Sequence, residues 1–245
     1  MLFRSAAVAG LVGLMLWPAV ASADPIRIVL DNRQAFSSTF VQDSTGQTAD
    51  QHSAAAGDDL RTSATSSTVL SNAAASGILI SSLGPGHFTG SGNAGISSDT
   101  AGAATTAAQA LFQVTFRLDQ AYDFVFAGQF GATGIVPPRE GQPNVSGSWR
   151  TVLEGGDGST VIFDNTGDGG QSLLHTGELA AGDWFLSVDA FANGFAPMPS
   201  ILSAASNYDF RLDLSAAPPP APTPEPASLL LLATGITGLL RRRAR

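Results

Sequence analysis

Apolar and polar residues alternate with period two along several stretches of the chain, the pattern of a strand that buries one face. In LFQVTFRLD, Phe112, Val114, Phe116 and Leu118 share one side, and Gln113, Thr115, Arg117 and Asp119 share the other. In YDFRLDLS, Tyr208, Phe210, Leu212 and Leu214 oppose Asp209, Arg211 and Asp213. A slip of one residue in either stretch would bury charge, so the register is well specified. YDFVFAGQF, with Tyr122, Phe124 and Phe126 in phase, follows the first stretch after only Gln120 and Ala121. That short gap predicts a central hairpin over 111–130. PIRIVLDN, SWRTVLEG, STVIFDN and DWFLSVDAFA predict further strands, separated by Gly, Asp and Asn clusters that favour turns. In the last of these Trp184, Leu186 and Val188 point one way, which predicts a core position for Trp184.

From Ser53 to Gln109 the chain is dominated by Ala, Ser, Thr and Gly, and ILI at 78–80 is its compact apolar run. Alanine alone would allow helix, but no 3.6-residue apolar period is sustained and Ser, Thr and Gly recur. The stretch predicts short strands of small side chains joined by long loops. Within it, Gly90-Ser91-Gly92-Asn93-Ala94-Gly95 has the spacing of a dinucleotide site. The following ISSDTAGAATT has no apolar helical face, so the context such a site requires is missing and a flexible loop is expected. Together the segments predict an all-β fold, an antiparallel, jelly-roll-like β-sandwich over 24–215.

Both ends of the chain break this pattern. MLFRSAAVAGLVGLMLWPAVASA places Arg4 before an apolar run, then Pro18, then the small residues Ala21-Ser22-Ala23, the arrangement of a cleaved secretory signal. Residues 1–23 are therefore expected to form a signal helix that is removed, with Ala21 and Ala23 at the cleavage site. At the other end, AAPPPAPT cannot join a ladder and predicts an extended linker over 216–223. A short hydrophobic helix is expected in the tail at 224–245. Ala227 to Leu240 holds fourteen residues without a charge. As a helix it would span about 21 Å, against ~30 Å of hydrocarbon in a bilayer. Its six leucines and one isoleucine each favour the membrane by only ~0.5 kcal/mol, so insertion is marginal and transient. Arg241, Arg242, Arg243 and Arg245 follow directly and hold that end on the cytoplasmic side. Pro224-Glu225-Pro226 then lies at the outer face, where two prolines keep the peptide extended and open to a protease.

These last residues resemble the PEP-CTERM proteins of bacteria, whose sorting tail has a Pro-Glu-Pro motif, an apolar helix and a basic cluster in that order. The likeness covers Thr223 to Arg245, and LFQVTFRLDQAYDF, GELAAGDWFLSVDAFA and YDFRLDLS are similar to the β-sandwich bodies that often carry such tails. The resemblance implies processing by an exosortase, a membrane cysteine protease, and delivery to the cell surface or the extracellular polysaccharide matrix. Pro224, Glu225 and Pro226 become recognition residues, the four arginines retention residues, and none of them is catalytic. The exosortase and the secretion machinery are the implied partners.

Charge narrows the remaining possibilities. Between Asp24 and Ser215 nineteen acidic residues face seven arginines, a net charge of −12, and the chain has no lysine. Such a surface repels phosphate backbones and anionic lipid, so nucleic acid is not an expected partner. No cysteine is present, which excludes thiol chemistry and disulfides. His52, His87 and His175 are dispersed without metal-ligand spacing, and no G-x-S-x-G nucleophile motif occurs. No cofactor or metal is expected. Glu154, Asp157, Asp164 and Asp168 fall in or beside the glycine-rich stretches EGGDGS and DNTGDGG. These lie at opposite ends of one expected strand, and only Asp164 and Asp168 remain as candidates to hold a single calcium ion. Trp149, Phe185 and Tyr122 are the aromatic residues that could meet a sugar ring, with Phe185 set opposite Trp184 by the alternation. The expected function is that of a non-enzymatic surface or matrix protein; a module that binds exopolysaccharide and an extracellular hydrolase are the alternatives.

Overall fold

The alternating segments form strands throughout. The computed structural model describes residues 26–134, 143–166 and 169–217, with the side chains of 163–166 excepted. Ala21, Ala23 and the expected signal helix, Pro224-Glu225-Pro226, the apolar tail helix and Arg241, Arg242, Arg243 and Arg245 lie outside the described residues. In chain order the strands are β1 (Ile26–Asp31), β2 (Gln34–Asp43), β3 (Gly46–Ala55), β4 (Asp59–Ser67), β5 (Asn72–Gly84), β6 (His87–Thr100) and β7 (Ala103–Leu118). They continue as β8 (Tyr122–Thr133), β9 (Asn144–Gly155), β10 (Thr160–Thr166), β11 (Gly169–Leu179), β12 (Gly182–Ala196) and β13 (Ser200–Ala216).

Two antiparallel sheets face each other. One runs β10-β9-β12-β7-β2-β3, with β1 also on β7, and the other runs β11-β8-β13-β6-β5-β4. The pairs β6–β13, β7–β12, β8–β11 and β9–β10 fall alternately in the two sheets. The run β6–β9 thus folds back on β10–β13 as one long ribbon that wraps around the core, the strand order of a jelly roll. The inner faces are those the alternation selects: Phe112, Val114, Phe116 and Leu118 from β7 and Tyr208, Phe210, Leu212 and Leu214 from β13 are all buried, as is Trp184.

Three expectations are corrected. No hairpin forms over 111–130, because Asp119, Gln120 and Ala121 carry the chain from one sheet to the other. A short gap suits an arch as well as a hairpin; here Phe116 of β7 and Phe124 and Phe126 of β8 all face the space between the sheets. Residues 53–109 form long strands with tight turns instead of short strands with long loops. The GSGNAG stretch is not a loop but the middle of β6, between β5 and β13. Two of its three glycines serve the packing: a Cβ at Gly92 would stand 2.3 Å from the Tyr208 ring, and one at Gly90 would stand 2.5 Å from the Phe210 ring.

The core is graded along its length. The chain enters and leaves at one end, where Ile26 opposes Leu118 on the neighbouring strand and Ala216 opposes Tyr122. That half is filled by large rings, with Phe88 edge-on to Phe116 at 5.0 Å and Phe112 edge-on to Phe210 at 4.8 Å. Toward the far end the inward positions shrink to Ala35, Ser37, Ala94, Ala104, Ala108 and Ala192, all buried. The sheets close in accordingly, until Gly77 of β5 lies against the backbone of β2 and β7.

Polar clusters pin the middle of the sandwich and its far end. Between β1 and β2 the buried Arg33 donates Nε and Nη2 to Asp31 at 2.8 and 2.6 Å, and Nη1 to Asp58 and Ser81 at 2.8 and 2.9 Å. Hydrogen bonding from Arg33 holds the Asp31 carboxyl below the usual range, against the opposing effect of its partial burial. At the far end the Asp43 carboxylate accepts from Thr45 at 2.6 Å, from Thr68, and from Ser71 at 2.7 Å. These bonds, that from Thr45 foremost, depress its pKa. Ser71 also receives Thr100 Oγ1 at 3.2 Å and Ala101 N at 3.1 Å, so turns from both sheets are tied together.

Candidate functional site

The small core of the far half has a consequence on the outer surface. In β2, Ala35, Ser37 and Thr39 point inward and are buried, while Phe36 and Phe40 point outward and are half-buried. In β12, Ala190, Ala192 and Gly194 are buried, while Phe191 is half-buried and Phe195 is 47% exposed. A one-residue slip of either strand would bury its phenylalanines. The close approach of the sheets leaves no room for rings inside, so this half turns its largest side chains to solvent.

Strand register arranges these rings. Phe191 pairs with Gln109 of β7, and Gln109 pairs with Phe36; Phe195 pairs with Thr105, and Thr105 pairs with Phe40. The four phenylalanines therefore stand at the corners of a rectangle, roughly 10 Å across two strand spacings and roughly 14 Å along the strands. Between the two aromatic columns runs β7, whose outward Thr105, Ala107 and Gln109 make a low floor. Ser38 and Asn193 fill the sides midway, both in register with Ala107, and Ser146 of β9 donates a hydrogen bond to Asn193.

Toward the middle of the sheet the trough meets a carboxylate. Asp189 accepts two hydrogen bonds from Gln109 Nε2, at 3.0 and 3.1 Å. Burial raises its pKa to about 6, against the lowering effects of Gln109 and of Arg150, its cross-strand neighbour on β9. The outer face of the other sheet differs: β6 and β13 present Thr89, Ser91, Asn93, Asp209, Arg211 and Asp213 there, with Arg211 Nε bonded to Asp213 at 2.7 Å, and its exposed apolar residues are the aliphatic Ile80, Val125, Leu174 and Ile201.

The residues singled out from sequence are dispersed. Trp149 is 1% exposed and stacks on Phe130 at 4.4 Å inside the sandwich, so it cannot meet a ligand at the surface. Tyr122 is buried as well. Both sit on the inward phase of strands that close the core, Tyr122 at the ring-filled end and Trp149 where that half meets the alanine-filled one. Phe185 is half-buried on the outer face, beside Thr115 and Glu154, nearer the end where the chain enters. The backbone of Asp164 belongs to β10, but the side chains of Asp164 and Asp168 lie outside the described residues. Asp157 accepts the Ser159 amide at 2.9 Å in the β9–β10 turn.

Fold and surface together define a jelly-roll-ordered β-sandwich whose two outer faces differ: one carries outward phenylalanines, and the other mixes polar residues with exposed aliphatic ones. Residues 222–244 match the family model described as the PEP-CTERM protein-sorting motif. The chain therefore carries a PEP-CTERM protein-sorting motif together with a β-sandwich body, and a motif of that kind implies export and recognition by an exosortase. No curated protein matches the sequence. Among solved structures, it is similar to carbohydrate-binding modules of a β-sandwich superfamily at 10% identity, with 75% of each chain covered and a TM-score of 0.16. It is also similar to a structure of infectious bursal disease virus, Gx strain, at 9% identity over 78% of this chain and 64% of that one, with a TM-score of 0.17. Likenesses of this size carry no argument about ligand or activity.

Proposed function

We propose that the protein is a non-enzymatic constituent of the cell surface or extracellular matrix, paused in the inner membrane by its tail and then released by exosortase cleavage. The observation that carries this reading is the sorting motif at 222–244. Its apolar run is too short and too weakly lipophilic for permanent anchorage, and its arginines keep the last residues inside. Pro224, Glu225 and Pro226 are the recognition residues in this scheme, and Arg241, Arg242, Arg243 and Arg245 the retention residues.

The body supports a structural role through the employment of its carboxylates. Asp31 and Asp58 neutralise Arg33, Asp43 ties turns together, and Asp183 holds Arg117 through two bonds of 2.7 and 2.8 Å.

Replacing Pro224, Glu225 and Pro226 together by alanine in the native host tests the sorting assignment. The variant should accumulate in the membrane fraction with its tail attached, while the parent is released. Release of the variant with the same mass and fractionation as the parent would overturn the assignment.

A further inference from the structure

We infer that the trough along β7, walled by Phe36 and Phe40 on one side and Phe191 and Phe195 on the other, is a binding site for a neutral, linear polysaccharide. The inference goes beyond export and sorting, which do not depend on it. It starts from the inverted phase of β2 and β12 in the far half: small residues face the core and rings face solvent, an arrangement that folding alone does not require.

The chemistry of the trough selects the occupant. Rings at the four corners offer flat apolar faces, while Thr105, Gln109, Ser38 and Asn193 place hydroxyl and amide groups between them. A matching ligand has apolar faces and hydrogen-bonding edges on the same unit, which describes a pyranose ring. A second copy of the chain fits less well, since the centre of a self-interface is depleted of charged residues and Asp189 and Arg150 stand at the end of this trough. The floor runs parallel to β7, and its length of roughly 14 Å between rings of one column exceeds a single sugar, so a chain of sugars fills it. Charge excludes a polyanion: the body carries −12 without one lysine, and Asp189 stands at the inner end of the trough. The site also lies in the half remote from Ala216, the end from which the linker and tail depart. A tethered or matrix-embedded protein would thus present it outward.

Affinity electrophoresis of the full-length protein provides the test, in native gels containing hydroxyethylcellulose, mixed-linkage β-glucan, dextran or galactomannan, with alginate as the polyanion. At least one neutral polymer should retard the protein, and alginate should not. Phe36→Ala and Phe191→Ala should each weaken that retardation about fivefold, since loss of one ring contact is worth on the order of 1 kcal/mol. Ala107→Trp keeps all four phenylalanines but fills the floor, and should abolish retardation while leaving the unfolding midpoint near that of the parent. No retardation by any neutral polymer, or retardation unchanged in Ala107→Trp, would overturn the site. Concentration-dependent dimerisation that Phe36→Ala and Phe191→Ala abolish would also overturn it and assign the face to a second copy. Normal tail processing in a protein that binds no polymer would remove this inference and leave the sorting assignment standing.

Discussion

Trp149→Ala will lower the folding stability of the protein by about 3–5 kcal/mol, whereas Phe185→Ala on the same sheet will cost no more than about 1 kcal/mol. Trp149 is 1% exposed and stacked on Phe130 at 4.4 Å, and Phe130 lies in register with Tyr208 across the β8–β13 ladder. Its removal opens a cavity at the junction between the ring-filled half of the core and the half filled by alanine. The surroundings cannot collapse into that space, because the strands on both sides are held in continuous ladders. Phe185 stands on the outer face, where alanine exposes some strand but leaves no cavity. Urea unfolding followed by far-ultraviolet circular dichroism measures both, with unchanged denaturant dependence showing that the same surface is exposed in each. A Trp149→Ala protein within about 1 kcal/mol of the parent would place that ring outside the core.

Gly77→Ala should be nearly as severe, costing about 3 kcal/mol or more, although alanine suits strands of this sheet elsewhere. A Cβ at Gly77 would stand 2.5 Å from the Gln109 carbonyl oxygen and 2.6 Å from that of Phe36. Those oxygens belong to the β2–β7 ladder, so they cannot move aside as a flexible side chain would. The neighbouring strand provides the control. A Cβ added at Gly95, which pairs with Ser76 on β5, would meet only the Ser76 hydroxyl at 3.5 Å and the Asn93 amide oxygen at 3.8 Å. Gly95→Ala should therefore be neutral or stabilise by up to about 1 kcal/mol, through the lower entropy of its unfolded chain. Equal unfolding midpoints for the two variants would contradict the close approach of the sheets. Because Gln109 and Phe36 also belong to the trough, Gly77→Ala should disturb that surface too.

Much of the sandwich is legible in the alternation, and its limits have physical causes. Phe112 to Leu118 and Tyr208 to Leu214 announce their inner faces because a slip would bury Arg117, Asp209 or Arg211. The partner of each strand is less accessible: a link as short as Asp119-Gln120-Ala121 serves a hairpin or an arch equally well, and period two does not reveal which sheet a strand joins. Composition misleads over 53–109, where small residues suggest loops but serve as the inward side of closely packed strands. Gly90 and Gly92 make the same point, since their absent side chains become intelligible only once Tyr208 and Phe210 are seen across the ladder.

The aromatic trough was written into the sequence in a form that hydrophobicity alone obscures. QAFSSTFVQD and DAFANGFA each hold two phenylalanines four residues apart, and in a strand that spacing puts both on one face. In β12 the phase of Phe185, Phe191 and Phe195 is also the phase of Asp183 and Asp189, opposite to Trp184, Leu186 and Val188. Rings that share a face with carboxylates point outward. What the sequence does not supply is the register that sets β2 and β12 on either side of β7, and with it the rectangle. The sorting tail, by contrast, is local: motif, apolar run and arginines follow one another within 222–244, and no tertiary contact is needed to recognise them.

Intact-mass measurement of the polypeptide recovered from its own cells tests the central claim most directly. A brief membrane stop followed by cleavage predicts a released protein that begins at Asp24 and has lost the apolar run together with Arg241–Arg245. A chain isolated with Arg245 still in place, and confined to the membrane fraction, would contradict it.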